Sequence, residues 1–85
     1  MPYLLVEYEH DPPITDAELA DVGRRLGPCL EARNIRHMRT WKSSDRRWGV
    51  CEYEAADAEA VREAYRSAQV KFLRVRGSDL LGGAP

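Results

Sequence analysis

An α+β fold, with two helices on one face of a four-stranded antiparallel sheet, follows from three features of this sequence. Tyr3–His10 alternates about an aliphatic centre, as a half-buried strand does. Val50-Cys51-Glu52-Tyr53-Glu54 alternates in the same way and runs through Ala55-Ala56 into a helix that begins at Asp57. The remaining segments complete the order strand–helix–strand–strand–helix–strand, which is the split βαβ, or ferredoxin-like, arrangement. Its usual strand order is 4-1-3-2, so the first and third strands are central and one sheet face is left bare.

In the first strand, Leu4, Val6 and Tyr8 share one face and Tyr3, Leu5, Glu7 and Glu9 the other. Asp11-Pro12-Pro13 ends it, because proline has no N–H to give to a ladder. Thr15-Asp16-Ala17-Glu18 has the form of a capping box, with Ile14 placed as a staple residue. Leu19, Val22, Leu26 and Leu30 follow at helical spacing. Gly27-Pro28 predicts a kink or break there, since proline removes one hydrogen bond and crowds the carbonyl four residues earlier. Asn34 suits the helix exit. Ile35–Lys42 reads as the second strand, and Ser43-Ser44-Asp45-Arg46 turns into the third. The second helix, Asp57 to about Ala68, buries Val61, Ala64, Tyr65 and Ala68, with Asp57 as its cap and Glu59/Arg62 and Glu63/Arg66 as i,i+3 pairs. Val70–Arg76 is the last strand. Residues 1–77 form a single domain and 78–85 a flexible tail.

A chain of 85 residues buries only about 60–65% of its extended surface, so its stability calls for a supplement. Two cysteines, Cys29 and Cys51, are too few for a disulfide scaffold and lack zinc-type spacing. They read as buried free thiols in a cytoplasmic protein. Oligomerisation is the expected supplement, with a second copy of the chain as partner. The 13 basic and 14 acidic residues remove the electrostatic footprint of a nucleic-acid binder. No apolar run approaches the roughly 20 residues that span a bilayer, and Met1–Glu7 lacks the form of a signal peptide, so no membrane partner is expected.

Hairpin register decides what lies on the bare face, because a one-residue slip exchanges the two faces. With Ser44-Asp45 at the tip of a two- or four-residue loop, Trp41 opposes Trp48, Arg39 opposes Val50, and His37 opposes Glu52. Leu4, Val6, Met38, Cys51, Tyr53, Leu73 and Val75 then meet the helices. The bare face carries Leu5, Glu7, Glu9, His37, Arg39, Trp41, Trp48, Val50, Glu52, Glu54, Phe72 and Arg74. Exposed tryptophans and aliphatics mark an interface or a ligand groove. Basic residues crowd the two edge strands, where charge discourages unwanted strand pairing.

Glu7, Glu52 and His37 converge on that face in this register, and three readings stay open. Imidazole and carboxylate donors together suit a divalent transition ion such as nickel or zinc. The same groups suit proton transfer, with His37 and Glu52 as acid and base. They equally suit a cross-strand or inter-subunit ion-pair network with Arg39 or Arg74. His10 beside Asp11 is a lesser candidate for a surface ligand. No HExxH, CxxC or glycine-rich phosphate loop is present. Recognition domains of this topology bind RNA by stacking bases on aromatics of the central strands. Glu7, Glu9, Glu52 and Glu54 hold those positions here, and phosphate repulsion excludes that use.

Pro2–Glu7, the segment Ile35–Ser43 and, above all, Cys51-Glu52-Tyr53-Glu54-Ala55-Ala56-Asp57-Ala58-Glu59-Ala60-Val61-Arg62 resemble a family of small bacterial domains. The family was long labelled as of unknown function and includes a nickel-responsive, nickel-binding protein of Streptomyces. The likeness covers residues 2 to about 76. It implies a ferredoxin-like fold, a homodimer and, in at least one member, nickel. The chain departs from the family pattern at His37, where many relatives carry an aromatic residue, and at Gly49, often filled by a larger side chain.

The leading expectation is a homodimeric, divalent-metal (nickel-like) binding protein, a sensor or buffer and not a catalyst, with His37, Glu7 and Glu52 as ligands and no organic cofactor. The alternative is a dimeric α+β barrel with a small-molecule pocket on the open face, possessing isomerase or cyclase activity by fold analogy. Trp41, Trp48 and Phe72 would wall that pocket, Arg74 would hold an anion, and His37 and Glu52 would be its acid and base. A plain interaction module is the third reading.

Overall fold

The computed structural model describes residues 2–79 and Leu81. Its elements are β1 (Tyr3–Glu9), α1 (Asp16–Glu31), β2 (Arg36–Lys42), β3 (Trp48–Glu54), α2 (Ala58–Ser67) and β4 (Arg74–Ser78). The strands form one antiparallel sheet in the order β2-β3-β1-β4. This is the ferredoxin-like order that the alternation and element sequence predict.

Alternation sets the two faces of the sheet. Leu4, Val6 and Tyr8 of β1 and Cys51 and Tyr53 of β3 are buried against Leu26 and Leu30 of α1 and Val61, Ala64 and Tyr65 of α2. The capping box forms as expected: the Glu18 N–H donates to Thr15 Oγ1 at 3.1 Å and the Thr15 N–H donates to Glu18 Oε1 at 3.0 Å. Asp57 caps α2 by accepting from the Ala60 N–H at 2.8 Å. Arg25 joins the helices, its Nη1 donating to the carbonyls of Ala68 at 2.8 Å and Gln69 at 3.1 Å. A guanidinium there satisfies the carbonyls that a helix end leaves without partners.

Helix α1 runs unbroken through Pro28, so the expected interruption is not a break. The preceding Gly27 has no Cβ to meet the proline ring, which relieves much of the usual restriction on that residue. The proline also falls in the last turn, and the Ala32 N–H still donates to Pro28 O at 3.0 Å. Asn34 leaves the helix at a φ of 54°. Glu59 pairs with Arg62 as expected, at 3.7 Å, whereas Glu63 reaches Arg33 at 4.0 Å and Arg66 turns to Glu59.

The β2–β3 register differs from the expected one. Lys42 opposes Gly49, Trp41 opposes Val50 and Arg39 opposes Glu52, and a bulge between His37 and Arg39 sets His37 opposite Tyr53. Residues 43–47 form the connection, one residue longer than the longest loop expected. It is held by Ser43 Oγ donating to Asp45 Oδ1 at 2.6 Å and the Ser43 N–H donating to Trp48 O at 2.9 Å, with Arg46 at a φ of 62°. The slip of two residues keeps Arg39 and Trp41 on the open face. The bulge then sends His37 to the helix side and Met38 to the open side, reversing both expectations.

Strand β4 starts at Arg74 and not at Val70. Residues 70–73 therefore lie outside the ladder, and Leu73, expected against the helices, is 45% exposed. Ser78 belongs to the strand. The expected tail otherwise falls largely on residues 80 and 82–85, outside the described residues. Cys29 and Cys51 are both free.

Candidate functional site

The open face is a ladder of ion pairs built by the registers of β1, β3 and the two edges. Glu52 Oε2 accepts from Trp41 Nε1 at 2.7 Å and lies 3.2 Å from Arg39 Nε. Glu7 Oε2 accepts from Arg76 Nε at 2.8 Å, with Arg74 Nε at 3.5 Å. Glu54 stands 3.6 Å from Arg36. Glu7, Glu52 and Glu54 thus each meet an arginine of an edge strand, the cross-strand pairing that stabilises a sheet face.

Beside this ladder lies an apolar groove of about 340 Å³, walled by Tyr3, Leu5, Met38, Trp41 and Val50, with Arg39 and Glu52 at its border. Trp41 is 57% exposed. Trp48 sits on the same face opposite Glu9, 40% exposed, and does not line the groove. Arg74 is on this face, tied to Glu7. Phe72 is not. Its ring packs edge-on to Tyr65 at 5.5 Å on the helix side, because the segment ahead of β4 leaves the ladder. Met38 and Tyr3 are groove residues that sequence reasoning missed, and only knowledge of the bulge would have placed Met38 there.

His37 is separated from Glu7 and Glu52 by the sheet. It lies opposite Tyr53, with ring centroids 5.4 Å apart, and its Nε2 stands 2.7 Å from Thr40 Oγ1. The expected trio is therefore not gathered within one chain, and His37 and Glu52 do not form an acid–base pair. Thr40 Oγ1 lies in turn 3.1 Å from Cys51 Sγ, which lies 3.1 Å from the Tyr8 hydroxyl. Burial, and next the Cys51 contact, pushes the Tyr8 phenol well above its ordinary value. Cys51 thus packs inward, as the alternation predicts.

Two basic side chains meet at the end of the same inner face. Lys42 Nζ lies 3.1 Å from His10 Nε2 and 3.9 Å from the centre of the Tyr8 ring. Burial lowers the pKa of Lys42, and Arg46 adds to the effect while Cys51 opposes it. Burial, and then Lys42, lowers that of His10, against a small opposing pull from Glu18. His10 is half-buried against these groups.

The donor types that suit nickel are present but dispersed. Among the described residues, no three His, Cys, Asp or Glu side chains lie close enough together to hold one metal ion. Glu7 and Glu52 are engaged by arginines and tryptophan, and His37 faces the other way. A complete site within one chain does not fit these residues. Among the described residues, no helix is long and apolar enough to cross a membrane.

The fold matches the crystal structure of SCO4226 from Streptomyces coelicolor A3(2) with a TM-score of 0.81, over 94% of this chain and 99% of that one, at 18% identity. At that identity the likeness speaks for the fold alone. No curated protein matches the chain. The family described as nickel responsive protein SCO4226-like matches residues 4–76. That span takes in every strand pair and both helices, and the chain belongs to the SCO4226-like family of nickel-responsive proteins.

Proposed function

We propose that this protein binds nickel, or a nickel-like divalent ion, as a homodimer and works as a sensor or buffer in the cytoplasm. The family match over residues 4–76 is the observation that carries this reading. Free Cys29 and Cys51 support the reducing compartment. The open face, with Trp41 and Trp48 exposed beside a groove, is the proposed assembly surface, and a chain this small gains most from such burial. Imidazole and carboxylate donors are suited to nickel. Because one chain does not gather them, the ligands would act in two places: Glu7 and Glu52 on the assembly face, shared between copies, and His37 on the other side of β2, with water completing the coordination.

Titration calorimetry with nickel and with zinc, on protein carrying no purification tag, tests the proposal alongside molecular mass by light scattering. Saturable nickel binding at a whole-number ratio per dimer is expected. A stable dimer that binds neither metal would overturn the metal reading and favour the open-face groove as a small-molecule pocket. His37→Ala is expected to remove part of the nickel-dependent rise in Tm. An unchanged rise would remove His37 from the ligand set.

A further inference from the structure

Between α1 and the sheet lies a small cavity of about 60 Å³, distinct from the open-face groove. Its walls are mostly apolar, including Ile14, Leu19, Val22 and Leu26, yet Lys42, His10, Cys51 and Tyr8 also border it. An amine beside an imidazole in an apolar recess is an arrangement suited to nucleophilic chemistry on carbonyl carbon. Neither group is used by the proposed metal function.

We propose that Lys42 and His10 form a covalent site for short apolar aldehydes, which Lys42 captures as an iminium at this cavity. An ammonium at Lys42 can only donate, so across the 3.1 Å contact His10 Nε2 accepts in the tautomer that keeps its proton on Nδ1. A neutral His10 accepts at Nε2 from the Lys42 Nζ–H, so the imidazole is already placed to take the ammonium proton. The Lys42 lone pair then forms a C–N bond to the aldehyde carbon, and the carbonyl electron pair moves to oxygen. That oxygen receives the proton back from His10 Nε2. A second proton leaves the nitrogen through the same imidazole, the C–O bond breaks, and one water departs. An aldehyde and an ammonium give an iminium and a water, with no change of oxidation state and no net proton.

Two further features bear on the reactivity of the site. Burial lowers the pKa of Lys42, which enlarges its free-amine fraction near neutrality. The Tyr8 ring under Nζ opposes this by attracting the ammonium, and it also fixes where the nitrogen stands. A volume of about 60 Å³ favours an aldehyde of two or three carbons over an aromatic one.

Lys42 and Lys71 are the chain's two lysines; both border the cavity, but Lys42 is half-buried against His10 and Lys71 is exposed, so Lys71 serves as the reference amine. Intact protein is treated with propanal and cyanoborohydride near neutral pH, and alkylation is followed by peptide mass spectrometry. Lys42 is expected to react several-fold faster than the exposed Lys71. Equal rates, or Lys71 ahead, would overturn the proposal. His10→Asn is expected to slow Lys42 and leave Lys71 unchanged, and an unaffected Lys42 would remove His10 from the chemistry. Benzaldehyde is expected to label Lys71 and spare Lys42; equal labelling would overturn the cavity as the selector.

Discussion

The Tyr8 ring occupies the space that any side chain at residue 49 would need. A methyl group on Gly49 would come within 2.7 Å of Tyr8 Cε2 and 3.0 Å of the Trp41 carbonyl oxygen. The ring is held by Cys51 on one side and Lys42 on the other, and the carbonyl belongs to the neighbouring strand. Gly49→Ala is therefore expected to destabilise the fold by roughly 1–3 kcal/mol, the usual cost of overpacking. Urea unfolding of the variant measures it, and an unchanged midpoint would show that the ring yields freely.

The Tyr53 and Tyr65 hydroxyls stand 2.7 Å apart in the core, with both side chains almost fully buried. Tyr65→Phe leaves the Tyr53 hydroxyl without that partner, at an expected cost of about 1–3 kcal/mol. The double variant Tyr53→Phe, Tyr65→Phe removes both polar groups and should recover part of the loss. A double variant less stable than the sum of the singles would show that the pair is not the source of the effect.

Burial raises the pKa of both phenols above the ordinary tyrosine value. A raised folded-state value gives stability that is present below the unfolded pKa of about 10 and is lost as pH rises beyond it. Stability should thus fall in alkali, and the Tyr53→Phe, Tyr65→Phe variant should show a flatter decline. Thermal scans across the alkaline range compare the two slopes, and identical slopes would refute the assignment.

Glu18 shows the opposite sign. Its carboxylate accepts from the Thr15 N–H, which, with the Thr15 side chain, lowers its pKa. A depressed value gives stability above the unfolded carboxyl pKa that is lost as pH falls through the folded one. Glu18→Gln keeps the hydrogen-bonding shape of the box but does not titrate, so its stability should depend less on acid pH. Thr15→Ala removes the cap at about 1 kcal/mol near neutral pH.

Trp41 tests the proposed assembly surface. Truncating an interfacial tryptophan commonly costs about 2 kcal/mol or more, a factor of roughly thirty in Kd. Trp41→Ser is expected to shift the light-scattering mass toward the monomer at low concentration and leave the helical circular dichroism unchanged. A dimer of undiminished affinity would move the interface elsewhere.

The layer order, both helix caps and the inward set of β1 and β3 were legible because each rests on local chemistry: alternation at Tyr3–Glu9 and Val50–Glu54, and oxygen acceptors at Thr15 and Asp57. The position of His37 was not. It depends on a five-residue connection and on one extra residue at Met38, and neither leaves a signature in the alternation of β2. Arg39 and Trp41 were placed on the right face although their partners were misassigned, since a slip of two preserves parity. Phe72 was misplaced for another reason. Val70–Arg76 alternates like a strand, but the Leu73 N–H already donates to Glu7 O, and regular pairing starts only at Arg74. The Lys42–His10 contact joins residues 32 apart in sequence and became visible only once Lys42 was set opposite Gly49.

The bulge at Met38 also makes β2 a poor template for growth. A straight strand from another molecule would fall out of step with this edge after a few residues, and Arg36, Arg39 and Lys42 would repel a like copy laid alongside. Fibre-like stacking through this edge is thereby discouraged, and the proposed dimer would meet by face, where contact closes after two and does not propagate.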